Sequence, residues 1–244
     1  VLYSGASATL KAFADKHGLP LMETNAGKSS TPHDFALNMG SPGVTGSSAS
    51  NLLAEQADVV LAVGSRLQDF TTGSWALFKA EGVRIVGLNV QPFDAGKHRA
   101  LPLIADARVG LEQLSAGLGN WRTNKAWTDT AAAGKTKWLA AAKAVMDPTN
   151  ALPSDAQVIG AVHRARGSGA TIVCASGGLP GELHKLWPAG KPGSYHMEYG
   201  YSTMGYEIAG GLGVKLAKPK DDVIVMLGDG SYMMMNSEIS TSVM

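Results

Sequence analysis

The run VIVMLGDGSYMMMNSE, Val223 to Glu238, decides how the chain is read. Its apolar opening, Val223 to Leu227, has the composition of a strand buried on both faces, and it ends in Gly228-Asp229-Gly230-Ser231. The residues after Gly230 suit the start of a helix. Strand, glycine turn and helix make one step of a parallel α/β layer, and in open sheets of this kind ligands bind beyond the C-terminal ends of the strands. The two glycines remove side chains and let a ligand approach the backbone. Free N–H groups at a helix start favour phosphate. A carboxylate beside a phosphate makes sense with a divalent cation between them, because Mg²⁺ is usually held by one or two protein oxygens plus phosphate oxygens. The plainer alternative is a tight turn with Asp229 as a helix cap. On spacing alone both readings stand.

Four more runs have the same strand character: VLYS (1–4), DVVLAVGS (58–65), VRIVGLNV (83–90) and ATIVCAS (170–176). Helix-like stretches lie between them. TLKAFADKHG (9–18) ends in a glycine suited to a C-cap, and SSASNLLAEQA (47–57) opens on capping serines. ARVGLEQLSAGLG (107–119) and EIAGGLGVKLAK (207–218) carry apolar residues at helical spacing. The stretch from Asn120 to Pro153 is polar and Ala-rich with no strand signal, which suits a connecting helix followed by a Pro-punctuated linker. The expected fold is α/β: two Rossmann-like three-layer domains with parallel sheets, the second truncated. The expected boundaries are 1–120 for the first domain, 121–153 for the connector and 154–244 for the second. Val1 and the helix-like SEISTSVM at the other end suggest a piece of a longer protein.

Of the 244 residues, 45% are apolar and 17% charged, enough for a real core in a soluble chain. A net charge of +1 gives no electrostatic case for nucleic acid or an acidic membrane surface. No apolar run approaches the roughly 18 residues of a bilayer span. The single cysteine, Cys174, reads as a buried thiol in a cytoplasmic protein. AGKSS (26–30) resembles the end of a P-loop, but Met22 stands where the motif needs its first glycine. No GxGxxG occurs; the near misses at 211–216 and 228–233 fail at the third glycine. The six histidines show no zinc-ligand spacing, and no GxSxG elbow occurs.

A second glycine-rich cluster, EYGYSTMGYEIAGGLGVKLAKP (198–219), puts Met204 just before a small-residue helix. Gly210, Gly211 and Gly213 would let that helix pack close to a sheet; Met204 alone is ordinary core filler. Together the two clusters resemble the thiamine-diphosphate enzymes of the acetolactate-synthase superfamily. The family's cofactor motif begins with GDG after a buried strand, here Gly228-Asp229-Gly230-Ser231. Its second hallmark is a turn of the type G-x-M-G-[FY], here Ser202-Thr203-Met204-Gly205-Tyr206. ETNAGKSS, SPGVTGSS, ADVVLAVGSRLQDF, GLNVQP and LIADARVGLEQL resemble the family's middle domain. ASGGLPGELHKLW, GDGSYMMMNSE and Glu207, which replaces the usual synthase pattern, look most like the trihydroxycyclohexanedione hydrolases of myo-inositol breakdown.

The resemblance implies thiamine diphosphate and Mg²⁺ as cofactors, with Asp229 as metal ligand and the N–H groups of Gly230 and Ser231 on the diphosphate. Gly178 and Leu179 would touch the diphosphate from a neighbouring strand. Met204 would be the apolar wedge that bends the cofactor, and the Ser202 carbonyl would accept a hydrogen bond from its amino group. The implied reaction is hydrolytic C–C cleavage of 3D-(3,5/4)-trihydroxycyclohexane-1,2-dione to 5-deoxyglucuronate, by a homodimer or homotetramer. His196, Glu198 and Glu207 are candidate catalytic or substrate-contacting residues. The catalytic glutamate and a second, asparagine metal ligand are expected outside this stretch of chain, which alone should bind the cofactor weakly. The alternatives are a synthase or 2-oxo-acid decarboxylase of the same superfamily, and a non-catalytic nucleotide or FAD module that uses Arg66 or leaves it to a surface ion pair.

Overall fold

The computed structural model describes residues 1–149 and 152–244. Strands β1 (Val59–Val63), β2 (Arg84–Asn89) and β3 (Leu101–Ile104) lie side by side in that order, all parallel, with Val59 opposite Arg84 and Val86 opposite Leu101. In the second sheet β4 (Thr171–Cys174) is central, flanked by β5 (Tyr195–Met197) and β6 (Val223–Val225), again all parallel. The chain is therefore α/β with two three-stranded parallel sheets.

Local sequence sets where the helices begin and end. Helix α1 (Ser7–His17) stops at Gly18, which takes the left-handed conformation at φ 68° and returns its N–H to Ala14. Helix α2 (Ser48–Gln56) starts at Ser47, whose side chain accepts from the Ser50 N–H. Two single-turn helices, α3 (Asp69–Thr72) and α4 (Pro92–Ala95), follow β1 and β2. Asp106 caps α5 (Ala107–Leu118) by accepting from Arg108 and Val109. Helix α6 (Lys125–Met146) leads to α7 (Asp155–Arg166), which carries a capping box between Ser154 and Gln157. The remaining helices are α8 (Gly178–Leu186), α9 (Tyr206–Ala217), α10 (Asp229–Met235) and α11 (Ser237–Val243).

One sequence expectation needs correction, and two strands were not anticipated. VLYS is a turn rather than a strand: Gly5 and Ala6 return their N–H groups to Leu2 and Val1, so this backbone pairs with itself. β3 and β5 carried no apolar-run signal. β3 is an edge strand that tolerates Pro102, and β5 is a short Tyr195-His196-Met197 strand with no Val or Ile. The connecting helix, α6, packs on both halves. Ala131 packs with Met39 and Leu53, while Ala142 joins the core of Ile159, Ile172 and Trp187. Of the linker expected after it, residues 150 and 151 lie outside the described residues.

The two halves also meet through buried polar contacts. Ser41 Oγ donates to the His184 carbonyl at 3.0 Å, Thr45 Oγ1 lies 2.7 Å from His184 Nδ1, and the Tyr195 N–H donates to Ser29 Oγ at 3.2 Å. Thus α8 and β5, which lead to one edge of the second sheet, are tied to loops of the first half. Among the described residues, no helix is long and apolar enough to cross a membrane.

Candidate functional site

Because the strand order is β5-β4-β6 and all three run parallel, three chain segments leave the second sheet at one edge. They are Ala175–Gly178 after β4, Glu198–Gly205 after β5 and Met226–Ser231 after β6. This is the edge where open α/β sheets bind ligands. Sequence separation between these segments is large, and only the sheet topology brings them together.

Asp229 is the first residue of α10, with Gly228 in the N-cap position, so it is not the cap itself. Its Oδ1 accepts from the Gly230 N–H at 3.0 Å and the residue is exposed. Ser231, two residues further in, is completely buried and its hydroxyl has no protein partner. Gly230 lies against Met204: a Cβ there would come 3.2 Å from Met204 Cε. The Met204 methyl therefore caps the GDG turn, while the residue stays 39% exposed. Gly178 begins α8 beside Gly177, whose φ of 133° suits glycine, and Leu179 packs at the rim of the core.

The loop that carries Met204 is held from both sides. Glu198 accepts from the Tyr201 and Thr203 N–H groups. Burial pushes its carboxyl up, but those N–H bonds outweigh it and hold the group below the ordinary glutamate range. Ser202 sits in the left-handed region at φ 56°, and Gly205 does so at φ 92°. Glu207, fully buried in the first turn of α9, accepts from the Gly205 N–H at 2.8 Å through Oε2. Its Oε1 has no protein partner. Two unpartnered buried oxygens, Ser231 Oγ and Glu207 Oε1, thus belong to the two segments that meet at Met204, as expected where a polar ligand completes the hydrogen bonding.

His196 is not drawn into this cluster. Burial is the main cause of its lowered pKa, followed by the charge of Lys218 and opposed by the Gly193 backbone, and its Nε2 is buried without a protein partner. Lys218 and Gly193 stand at the entry to the sheet, opposite the exit where Met204 lies. Of the three glycines expected to bring α9 close to the sheet, only Gly211 does so: a Cβ there would lie 2.3 Å from Val225 Cγ2. Gly210 faces its own helix's Tyr206, and Gly213 faces open space. Arg66 donates to Gln68 Oε1 at 3.0 Å rather than forming an ion pair.

The P-loop-like segment does other work. Glu23, buried, accepts from Thr31 N–H and Oγ1 and from the Ser29 N–H, which closes the turn around AGKSS. Lys28 points at the Tyr195 ring, 5.5 Å from its centroid. Burial pulls its pKa down to about 8, opposed by the Glu23 charge. Among the described residues no group of three or more His, Cys, Asp or Glu side chains gathers around a metal-sized site. Sequence reasoning passed over Asn25 and Tyr199, which line a cavity between the two halves. No motif marks them; the signal is a buried polar atom left without a partner in each.

Comparison with known proteins gives a consistent result. The model of the thiamine pyrophosphate enzyme central domain matches residues 1–114. The model of the C-terminal TPP-binding domain of the same enzymes matches residues 175–244. A Bacillus cereus (strain ZK) protein named 3D-(3,5/4)-trihydroxycyclohexane-1,2-dione hydrolase 2 is 40% identical over 99% of this chain. The Clostridium tetani (strain Massachusetts) hydrolase named for the same dione is 36% identical over 100% of it, and that of Bacillus cereus (strain AH820) is 38% identical over 99%. The chain spans 42% of the length of each.

Proposed function

Because the chain belongs to the thiamine pyrophosphate enzymes, we propose that the protein carrying it is a thiamine-diphosphate- and Mg²⁺-dependent hydrolase that opens 3D-(3,5/4)-trihydroxycyclohexane-1,2-dione to 5-deoxyglucuronate. The observation that carries the substrate is the 36–40% identity, spread over essentially the whole chain, to proteins named for that hydrolysis. Thiamine diphosphate, when bound, supplies a nucleophilic carbon and an electron sink for C–C cleavage.

This chain's residues hold and orient. Asp229 offers an exposed carboxylate to Mg²⁺. The N–H groups of Gly230 and Ser231 and the Ser231 hydroxyl would hold the diphosphate, with Gly178 and Leu179 on the β4 side. Met204, whose methyl lies against Gly230, would bear on the bound cofactor and help to orient it. Ser202, in the left-handed conformation, would contribute its carbonyl, a backbone role open to any residue type. Glu207 fixes the Gly205 turn and so positions Met204. The working form is a cytoplasmic homodimer or homotetramer. Incubating the full-length protein with the dione, thiamine diphosphate and Mg²⁺ should open the ring. No ring opening, alongside brisk acetolactate formation from pyruvate, would overturn the substrate assignment in favour of a synthase.

A further inference from the structure

At the exit edge of the second sheet, a completely buried carboxylate has no protein cation beside it. Glu207 is 0% exposed, its Oε2 takes the Gly205 N–H at 2.8 Å, and Oε1 is left open. Among the described residues, no Lys, Arg or His makes an ion pair with it. A buried charge is costly unless a group of opposite sign or a hydrogen-bond donor meets it.

Helix register fixes where this carboxylate lies. α9 returns the chain from the exit of β5 to the entry of β6, so it runs antiparallel to the strands. Gly211 abuts Val225 of β6. Glu207, one turn earlier, therefore stands nearer the exit, level with the approach to the GDG turn. α10 closes the other side: a Cβ on Gly205 would lie 3.2 Å from Met234 Cβ and 2.8 Å from Met235 Cγ. Ser231 precedes those two by three and four residues and shares their helix face. The second unpartnered oxygen, Ser231 Oγ, thus looks from α10 towards the Gly205–Glu207 turn.

Chemistry assigns the two oxygens different partners. A hydroxyl can donate, whereas a carboxylate only accepts. Phosphate oxygens also only accept, so a diphosphate satisfies Ser231 and repels Glu207. Mg²⁺ usually keeps several of its waters when it binds one or two carboxylates and a phosphate chain, and those waters donate. Asp229 is exposed, whereas Glu207 is closed off beneath the turn.

We propose that Glu207 is a positioning residue for the divalent cation at the GDG turn. Its Oε1 accepts a hydrogen bond from a water on the ion held at Asp229, and its charge offsets that of the ion. Its Oε2 meanwhile keeps Gly205, and with it Met204, in place. One carboxylate thereby links metal loading to the Met204 turn. The proposal rests on the diphosphate and metal reading of the GDG turn given above.

The test titrates inorganic pyrophosphate, which carries no thiazolium ring, into the full-length protein by calorimetry, with and without Mg²⁺. Glu207→Gln keeps an acceptor for the Gly205 N–H and removes the charge. In that variant pyrophosphate affinity with Mg²⁺ should fall about tenfold, the lower end of what such outer partners contribute to metal binding. Without Mg²⁺ the affinity should hold or rise, because a carboxylate that repels phosphate is gone. The unliganded variant should keep the wild-type thermal midpoint. An equal loss with and without Mg²⁺, or no loss with it, would overturn the proposal and leave Glu207 a purely structural residue. Two arms do not depend on that variant folding. Ser231→Ala should lose the same factor with and without Mg²⁺; a loss confined to Mg²⁺ would overturn the division of roles. In wild type, Mg²⁺ that fails to strengthen pyrophosphate binding would overturn the proposal as well. A thiamine diphosphate titration of wild type reports separately on the cofactor: Mg²⁺-dependent pyrophosphate binding without thiamine diphosphate binding sinks that reading alone.

Discussion

Ser231 buries its hydroxyl completely and gives it no protein partner. Such a group weakens the folded state unless a ligand satisfies it. Ser231→Ala should therefore leave folding stability unchanged or raise it by up to about 1 kcal/mol, while thiamine diphosphate affinity falls roughly tenfold. Urea unfolding and calorimetry on the full-length protein separate the two effects; a parallel loss of both would mark the hydroxyl as structural. Ser202 invites a second substitution. A side chain at φ 56° costs about 1–2 kcal/mol relative to glycine. Ser202→Gly should raise the thermal midpoint or leave it unchanged with cofactor binding intact, because the proposed contact is a carbonyl. A marked drop in the midpoint would show that the serine hydroxyl has a role of its own.

At the scale of one element, α9 shows how glycines of one helix do different work. Gly211 lies against Val225 of β6, where a Cβ would come within 2.3 Å of a methyl carbon. Gly211→Ala should push α9 off the sheet and cost about 1–3 kcal/mol, as overpacking does. Gly213 is exposed with nothing within 4 Å, so Gly213→Ala should stabilise by up to about 1 kcal/mol through helix propensity. Denaturant unfolding of the pair checks both signs. α9 also carries Glu207 at its start, so any shift of the helix should show in the Met204 turn.

On the scale of the whole molecule, His184 joins the halves. It is buried on α8, meets Thr45 through Nδ1 and takes Ser41 through its carbonyl. Burial, with the nearby Lys28 charge adding to it, pulls its pKa down to about 3 from the ordinary 6.5. The unfolded chain therefore takes up a proton that the folded chain refuses across that window. The stability due to neutral His184 is complete above pH 6.5 and is lost as pH falls towards 3. Relative to His184→Gln, wild type should lose more stability between those pH values in urea titrations. Parallel pH curves would remove His184 from the acid sensitivity.

Much of this was legible in sequence, and the failures share a cause. The Val- and Ile-rich runs at β1, β2, β4 and β6 announced themselves because a strand covered on both faces must be apolar throughout. β3 and β5 did not: Pro102 interrupts β3, and β5, though as long as β6, is Tyr195-His196-Met197 with none of the apolar run that carries β6 on to Leu227. VLYS has strand composition, yet its backbone closes on itself at Gly5. Asp229, Gly230, Ser231, Ser202 and Met204 became candidates only through the family resemblance that two short motifs carry, because the turns alone also fit a helix cap and a core methionine. His196 looked equally close in sequence to Met204, but a strand carries its residues from one edge of the sheet to the other.

By itself, then, the sequence determined the α/β class, the principal helix caps and the two glycine turns, because these depend on composition, periodicity and φ over a few residues. Only the tertiary structure decided that Met204 caps Gly230, that Ser231 and Glu207 each bury an unpartnered oxygen, and that Asn25 and Tyr199 share one cavity. Those facts depend on strand order and on the packing of two halves across distant stretches of chain. Burial and partnership are properties of that packing, and no local pattern encodes them.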